Sequence, residues 1–439
     1  MSCWKPLFSV FLLIFFSISQ ASVPPSKQFK YVNEGELGDN GDYGTEYGGN
    51  YRNLSSIFNS PFQLCFFNTT PNAFTLALRM GTLRSYSVLR WVWEANRANP
   101  VREKATLTFG SDGNLVLADA NGRIAWQTGT ANKGVVGLKL LPNGNMVLHD
   151  SRDKFIWQSF DYPTDTLLVG QSLTSRGPTK LVSRASAAGN SNGPYSLVLE
   201  PKWVAMYYKS INSPTPMVYF TTLKLFSLTS HSFAYVKFSC VPDYGDTYFL
   251  QFDFKVSDGG LGSSNWARPN YNATLSFVRL EMDGNLKFYT YNAKVDNRAW
   301  EVTSTLFDKH SIIESECQLP ERCGRFGLCA DNQCFACPKP NGLVGWTKDC
   351  EPEKVTSCGV NDFYYYKIVG VDHFMSTKYT KGDGPMKEND CSNKCTKDCM
   401  CLGFFYHQDT SMCWIAYDLK TLSKVANSKH LAYIKAPKR

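Results

Sequence analysis

The chain has 439 residues, 46 Lys and Arg against 38 Asp and Glu, and a net charge of +8. That length leaves room for two to four domains, and so modest a charge, with no Lys/Arg block, argues against a nucleic-acid partner. Its 15 cysteines point to an oxidising compartment rather than the cytosol.

Residues 1–21 form a predicted signal peptide: Lys5 is the only charge before an apolar run from Leu7 to Ile18, and Ser19-Gln20-Ala21 follows. The run is short for a membrane span and no second apolar segment of about 18 residues follows it. The end of the chain, with Lys435, Lys438 and Arg439, carries neither a lipid-anchor tail nor a retention signal. The expectation is an exported protein without a membrane anchor, cleaved after Ala21. Export makes three glycosylation sequons usable, at Asn53, Asn68 and Asn272.

Residues 22–54, with Gly35, Gly38, Gly41, Gly44, Gly48 and Gly49 among tyrosines and acids, lack a regular apolar period and read as an extended arm.

Residues 55–170 contain an internal repeat. Phe109-Gly110-Ser111-Asp112-Gly113-Asn114-Leu115-Val116-Leu117 recurs in outline as Leu140-Leu141-Pro142-Asn143-Gly144-Asn145-Met146-Val147-Leu148, and Trp126 and Trp157 keep the same spacing as Asn114 and Asn145. Trp93 stands one similar period earlier. Asp112-Gly113, Asn121-Gly122 and Asn143-Gly144 supply the positive φ angles of tight hairpins. A single such sheet leaves an apolar face uncovered, so the pattern predicts three sheets around an axis with the tryptophans filling the centre. Residues 171–305, with Asp283-Gly284-Asn285-Leu286 and Trp300, predict a second, more divergent copy; a β-sandwich is the alternative.

Only Cys65 and Cys240 fall in the long middle, while twelve cysteines crowd between Cys317 and Cys413. That shift marks small stapled modules at 313–352 and 358–436, too small to bury a sufficient core unaided. Six cysteines alone allow fifteen pairings. Cys391, Cys395 and Cys399 fall on one stripe of a predicted helix. Zinc at Cys334-x-x-Cys337 or in the Cys391–Cys401 group is the rival to disulfides; secretion and the lack of a closely spaced His pair weigh against it. No metal and no cofactor are therefore expected. There is no His-Glu-x-x-His and no phosphate loop, and only six His, so catalysis is not expected.

Trp93-Glu94-Ala95-Asn96-Arg97-Ala98-Asn99-Pro100-Val101, the two Gly-Asn hairpins and Ile156-Trp157-Gln158-Ser159-Phe160-Asp161-Tyr162-Pro163-Thr164-Asp165-Thr166 resemble the S-locus glycoprotein and lectin-receptor ectodomain series. The run Pro61-Phe62-Gln63-Leu64-Cys65-Phe66-Phe67-Asn68-Thr69-Thr70-Pro71-Asn72-Ala73-Phe74 is similar to the epidermis-specific secreted glycoproteins and curculin-like lectins of the plant cell wall. The resemblance implies an all-β fold of tandem bulb-lectin β-prisms, followed by disulfide-rich EGF-like and PAN/apple (α+β) modules. It also implies the pairs Cys317–Cys329, Cys323–Cys334, Cys337–Cys350, Cys391–Cys413 and Cys395–Cys401, leaving Cys358–Cys399. Elimination then pairs Cys65 with Cys240.

Bulb lectins hold mannose through Gln-x-Asp-x-Asn-x-Val-x-Tyr. Carried over, the first copy here keeps Asp112, Asn114 and Val116 and lacks both outer groups. The second has Asn143, Asn145 and Val147 between Leu141 and His149. The downstream copy keeps Asp283, Asn285 and Tyr289, with Lys287 in place of the apolar residue. A monosaccharide held at millimolar strength is worth only about −4 kcal/mol, and two lost hydrogen bonds at roughly 0.5–1.5 kcal/mol each remove much of that. The resemblance thus implies an apoplastic, cell-wall glycoprotein binding mannose-bearing glycans such as high-mannose glycoproteins, with Asp283, Asn285 and Tyr289 as its best sugar site. The alternative is a scaffold, with degenerate sugar sites, for a protein or receptor partner.

Overall fold

The computed structural model describes residues 22–38, 44–84, 86–222, 232–243, 247–270, 274–310, 314–375 and 378–438. The expected signal peptide and Asn272 lie outside them.

Short apolar runs broken by Asp-Gly and Asn-Gly become antiparallel hairpins because Gly113, Gly122 and Gly144 hold φ at 79°, 85° and 83°, a region glycine enters without steric cost. Three sheets result. One runs Asn50–Asn59, Phe62–Thr70, Ala73–Met80 and Arg90–Glu94; the second Phe29–Val32, Thr106–Phe109, Leu115–Ala118 and Ile124–Gln127; the third Phe155–Gln158, Met146–His149 and Gly137–Leu140. Trp93, Trp126 and Trp157 meet edge to face between them, with ring centroids 5.8 to 6.3 Å apart. This is a β-prism.

The arm expected at 22–54 is instead part of that prism. Phe29–Val32 pairs with Thr106–Phe109 as an edge strand, and Asn50–Asn59 opens the first sheet. Gly49 is wedged where a Cβ would lie 2.2 Å from the Asn68 carbonyl, so a glycine that reads as linker is a close backbone approach.

A second prism follows, again of three sheets. They run Thr166–Leu168, Leu275–Leu280, Leu286–Tyr291 and Trp300–Thr305; Ser172–Thr174, Phe233–Pro242, Tyr248–Val256 and Leu261–Ala267; and Lys180–Ser186, Gly189–Leu199, Val204–Tyr208 and Met217–Thr221. Its centre is filled by Phe238, Phe252, Trp266 and Phe288 rather than by a tryptophan triad. Trp300 packs outside it, donating from Nε1 to the Val88 carbonyl of the first prism at 2.7 Å.

The C-terminal modules are fused by a shared sheet. Phe326–Ala330 of the EGF-like part pairs in parallel with Lys420–Lys424 of the PAN-like part, and that strand in turn pairs with Val371–His373. A second sheet, Phe363–Val369, His430–Pro437, Gly403–His407 and Met412–Ala416, carries the helix Glu388–Thr396. Six disulfides link Cys317–Cys329, Cys323–Cys334, Cys337–Cys350, Cys358–Cys399, Cys391–Cys413 and Cys395–Cys401. The rival zinc cysteines are thereby occupied.

Two cysteine expectations need correction. The helix holds only Cys391 and Cys395 and ends before Cys399. A continued helix would set residues six apart about 9 Å apart along its axis, whereas the Cys395–Cys401 bridge holds their Cα atoms at 5.4 Å. The Cys65–Cys240 pair is not formed. Cys65 is fully buried in the first prism, its Sγ donating to Asn53 Oδ1 at 3.3 Å, while Cys240 sits in the second prism opposite Leu250. Burial pushes the Cys65 thiol up to about 12 despite Arg79 beside it, and a thiol rather than a thiolate is a poor nucleophile. Cys65 is therefore expected to resist alkylation in the folded protein and to label once unfolded without reductant, as peptide mapping would read. Recovery of a Cys65–Cys240 crosslinked peptide would contradict this.

Candidate carbohydrate sites

Each hairpin places an Asx turn ahead of its central asparagine: Asp112 Oδ1 accepts the Asn114 N–H at 3.0 Å, Asn143 Oδ1 that of Asn145 at 3.2 Å, and Asp283 Oδ1 that of Asn285 at 2.8 Å. This is the local chemistry that makes Asp and Asn turn formers.

The asparagines then point into the protein. Asn114 Nδ2 donates to Gln127 Oε1 at 2.9 Å, and its Oδ1 accepts from Thr128 Oγ1 and the Thr130 N–H, both at 3.1 Å. Asn145 repeats the arrangement: Nδ2 to Gln158 Oε1 at 2.8 Å, with Ser159 Oγ and the Phe160 N–H donating back at 3.3 Å. Asn285 latches the same way onto backbone, giving to the Phe307 carbonyl at 2.9 Å and receiving the Phe307 N–H at 3.1 Å. The three are 8%, 3% and 4% exposed. An amide has two donor hydrogens and one two-lone-pair oxygen, and most of that capacity is taken within the fold.

The remaining positions fare no better for a sugar. Val116 is half-buried beside Ala118, which offers no hydroxyl. Val147 is fully buried, so no sugar ring can pack on it, and His149 at the position of the lectin tyrosine is buried against the Asp150 carbonyl.

The downstream copy departs furthest from the expectation. Tyr289 is buried, its hydroxyl donating to Glu281 Oε1 at 2.6 Å and its ring covered by Arg90 of the first prism, 4.4 Å from the centroid. Burial and the adjacent Glu281 push the Tyr289 hydroxyl far up, keeping it a donor, and burial likewise raises the Glu281 carboxyl against the pull of Arg279. Asp283, Asn285 and Tyr289 are thus a turn, a latch and a piece of the interface between prisms, not one open pocket.

That interface holds the charged residues the pattern reading passed over. Fully buried Arg279 donates from Nη1 to both oxygens of Glu46, which also binds Arg90. Glu94 of the first prism binds Arg184 of the second at 2.8 Å and Arg97 at 3.1 Å, and Arg97 reaches Asp165 at 2.8 Å. An arginine inside a mainly apolar strand, as Arg279 is within Leu275–Leu280, was the available signal, because such a charge requires a buried partner.

Of the sequons, Asn53 is exposed. Asn68 is 5% exposed near the end of the strand Phe62–Thr70, between Asn50 and Phe74.

Comparison with known proteins agrees with this architecture. The D-mannose binding lectin family matches residues 90–187 and the S-locus glycoprotein domain residues 229–346. EP1-like glycoprotein 3 of Arabidopsis thaliana is 51% identical over 428 residues, 97% of this chain and 96% of its own. The chain belongs to the EP1-like glycoprotein family. A second EP1 relative, the epidermis-specific secreted glycoprotein EP1 of Daucus carota, is 55% identical over 84% of this chain and 99% of its own length. The putative receptor protein kinase ZmPK1 of Zea mays matches at 29% over 79% of this chain but only 41% of its own. The EP1-like family is a non-catalytic lectin-type family, and among the described residues no helix is long and apolar enough to cross a membrane.

Proposed function

We propose that this EP1-like chain is an exported protein of the plant cell wall, cleaved after Ala21 and glycosylated at Asn53, Asn272 or both, in which the lectin prisms serve as a rigid frame for a protein or peptide partner rather than as mannose receptors. The observation that carries this reading is the inward latch made by Asn114, Asn145 and Asn285. Opening any of them to a sugar means breaking hydrogen bonds that already exist, so a sugar gains little net energy from the exchange. A cleft of about 630 Å³ between the second prism and the C-terminal modules, lined by Tyr208, Ile211, Arg325, Lys354 and Asp418, supports it further. It is a concave surface mixing apolar and charged side chains.

The test is a glycan array and a mannose column with the mature protein. No mannose-competed retention is expected, even of clustered high-mannose glycans, where several poor sites would gain from multivalency. Asn145→Ala should lower stability by about 1–3 kcal/mol, since it orphans buried partners, and leave the array unchanged. Saturable mannose retention that disappears in Asp283→Ala would restore the sugar reading.

A further inference from the structure

His407 and His430 face each other as directly paired residues on Gly403–His407 and His430–Pro437. Direct cross-strand partners put their side chains on the same side of a sheet, a few ångströms apart. Their rings stack with centroids 3.5 Å apart and an interplanar angle of 12°. Asp372 reaches them from the other C-terminal sheet. Its strand is pinned there because the Gly370 N–H donates to the His430 carbonyl at 2.8 Å. One oxygen, Asp372 Oδ1, lies 2.8 Å from both His407 Nε2 and His430 Nδ1.

We propose that Asp372, His407 and His430 form a binding site for a divalent transition cation of the zinc or copper class. Two imidazole nitrogens and one carboxylate oxygen are the donor set such borderline ions take, with a fourth position left for water. The three ligand atoms all lie within 4.8 Å of one another. With metal–ligand bonds of about 2.0–2.2 Å, tetrahedral ligands stand roughly 3.3 Å apart, so on binding the two 2.8 Å contacts open by about half an ångström and the two stacked rings splay until their in-plane lone pairs meet at the ion. Neutral imidazole can shift its proton to the other ring nitrogen, which frees the two nitrogens facing Asp372 as ligands without releasing a proton to solvent. The side chains are 13%, 4% and 17% exposed for Asp372, His407 and His430, enough shelter to raise affinity and enough opening for an ion to enter.

The neighbouring His373 shows the contrast. It is buried, with Nε2 against the Asp418 carbonyl at 2.8 Å and Nδ1 facing the Met375 N–H at 3.3 Å. Both its nitrogens are engaged and it can ligate nothing. Trp414 packs 4.5 Å from the His407 ring, close enough for a paramagnetic ion at the site to quench its fluorescence.

The experiment uses untagged, full-length mature protein stripped with a chelator. Calorimetric titration with zinc chloride should give one ion per chain, and zinc should raise the unfolding temperature. Copper(II) should quench tryptophan emission, with competition by zinc. His430→Gln and Asp372→Asn should each weaken zinc binding at least about tenfold and abolish the zinc-dependent rise in unfolding temperature, while metal-free unfolding shows that each variant folds. His310→Gln, at an exposed histidine, should change nothing. Absence of stoichiometric binding in the wild type, equal binding by both site variants, or loss of binding in His310→Gln would each overturn the site.

Discussion

Glu94→Ala should destabilise the protein by about 3–5 kcal/mol, the cost of leaving a buried charge without its partner. Glu94 is 4% exposed and its Oε1 accepts from Arg184 Nη1 and Arg97 Nη2, while Oε2 accepts from Thr75 Oγ1 at 3.0 Å. Arg184, 1% exposed, keeps only the neutral acceptors Ser186 carbonyl, Asn190 Oδ1 and Thr69 Oγ1 once that carboxylate is gone. Since Glu94 ends a strand of the first prism and Arg184 lies in Lys180–Ser186 of the second, the loss should loosen one prism from the other. Urea denaturation of the oxidised protein measures it. The double variant Glu94→Leu/Arg184→Met, which removes both charges, should be less destabilised than Glu94→Ala; a double variant worse than the sum of its singles would disprove the argument.

The same cluster sets a pH dependence. Burial pushes the Asp165 carboxyl up, but Arg97 and Arg279 outweigh it and hold the group below the usual carboxylate range. A carboxyl depressed in the folded state stabilises fully above its ordinary pKa, and that contribution disappears as pH falls through the folded value. The acid limb of the stability curve should therefore be shallower in Asp165→Asn than in the wild type.

What could be read from the chain and what could not divides along sequence distance. The hairpins were legible because Asp112-Gly113 and Asn143-Gly144 are two-residue signals whose backbone angles hardly depend on the rest of the fold. The tryptophan centre was legible because a period is local bookkeeping repeated. The strand Phe29–Val32 was not, because its membership in a sheet depends on pairing with Thr106–Phe109, far along the chain. The surroundings of the candidate sugar residues were not legible for the same reason: motif matching selects Asn145, but whether its amide faces solvent or Gln158 is decided by the following strand. The His407–His430 pair is invisible to local spacing because a hairpin and a further strand separate its members.

Trp157→Ala should cost about 3–5 kcal/mol, as expected for an aromatic side chain removed from a packed core. Trp157 is 6% exposed, touches Trp126 and Trp93 at ring-centroid distances of 5.8 and 6.3 Å, and stacks on Tyr162 at 5.6 Å. Its removal also frees Tyr162, whose carbonyl accepts the Trp93 Nε1–H at 2.9 Å, so one substitution loosens two members of the triad. Edge-to-face pairs add roughly 0.5–1.5 kcal/mol each beyond burial, and alanine recovers neither. Trp157→Phe keeps a ring and should lose less than half as much. Because the second prism is centred on Phe238, Phe252, Trp266 and Phe288 instead, its strands should keep their amide-exchange protection in Trp157→Ala, while those of Met146–His149 and Leu115–Ala118 lose theirs. Equal loss of protection in both prisms would mean that they unfold as one unit, and that the triad holds the whole chain rather than its own prism.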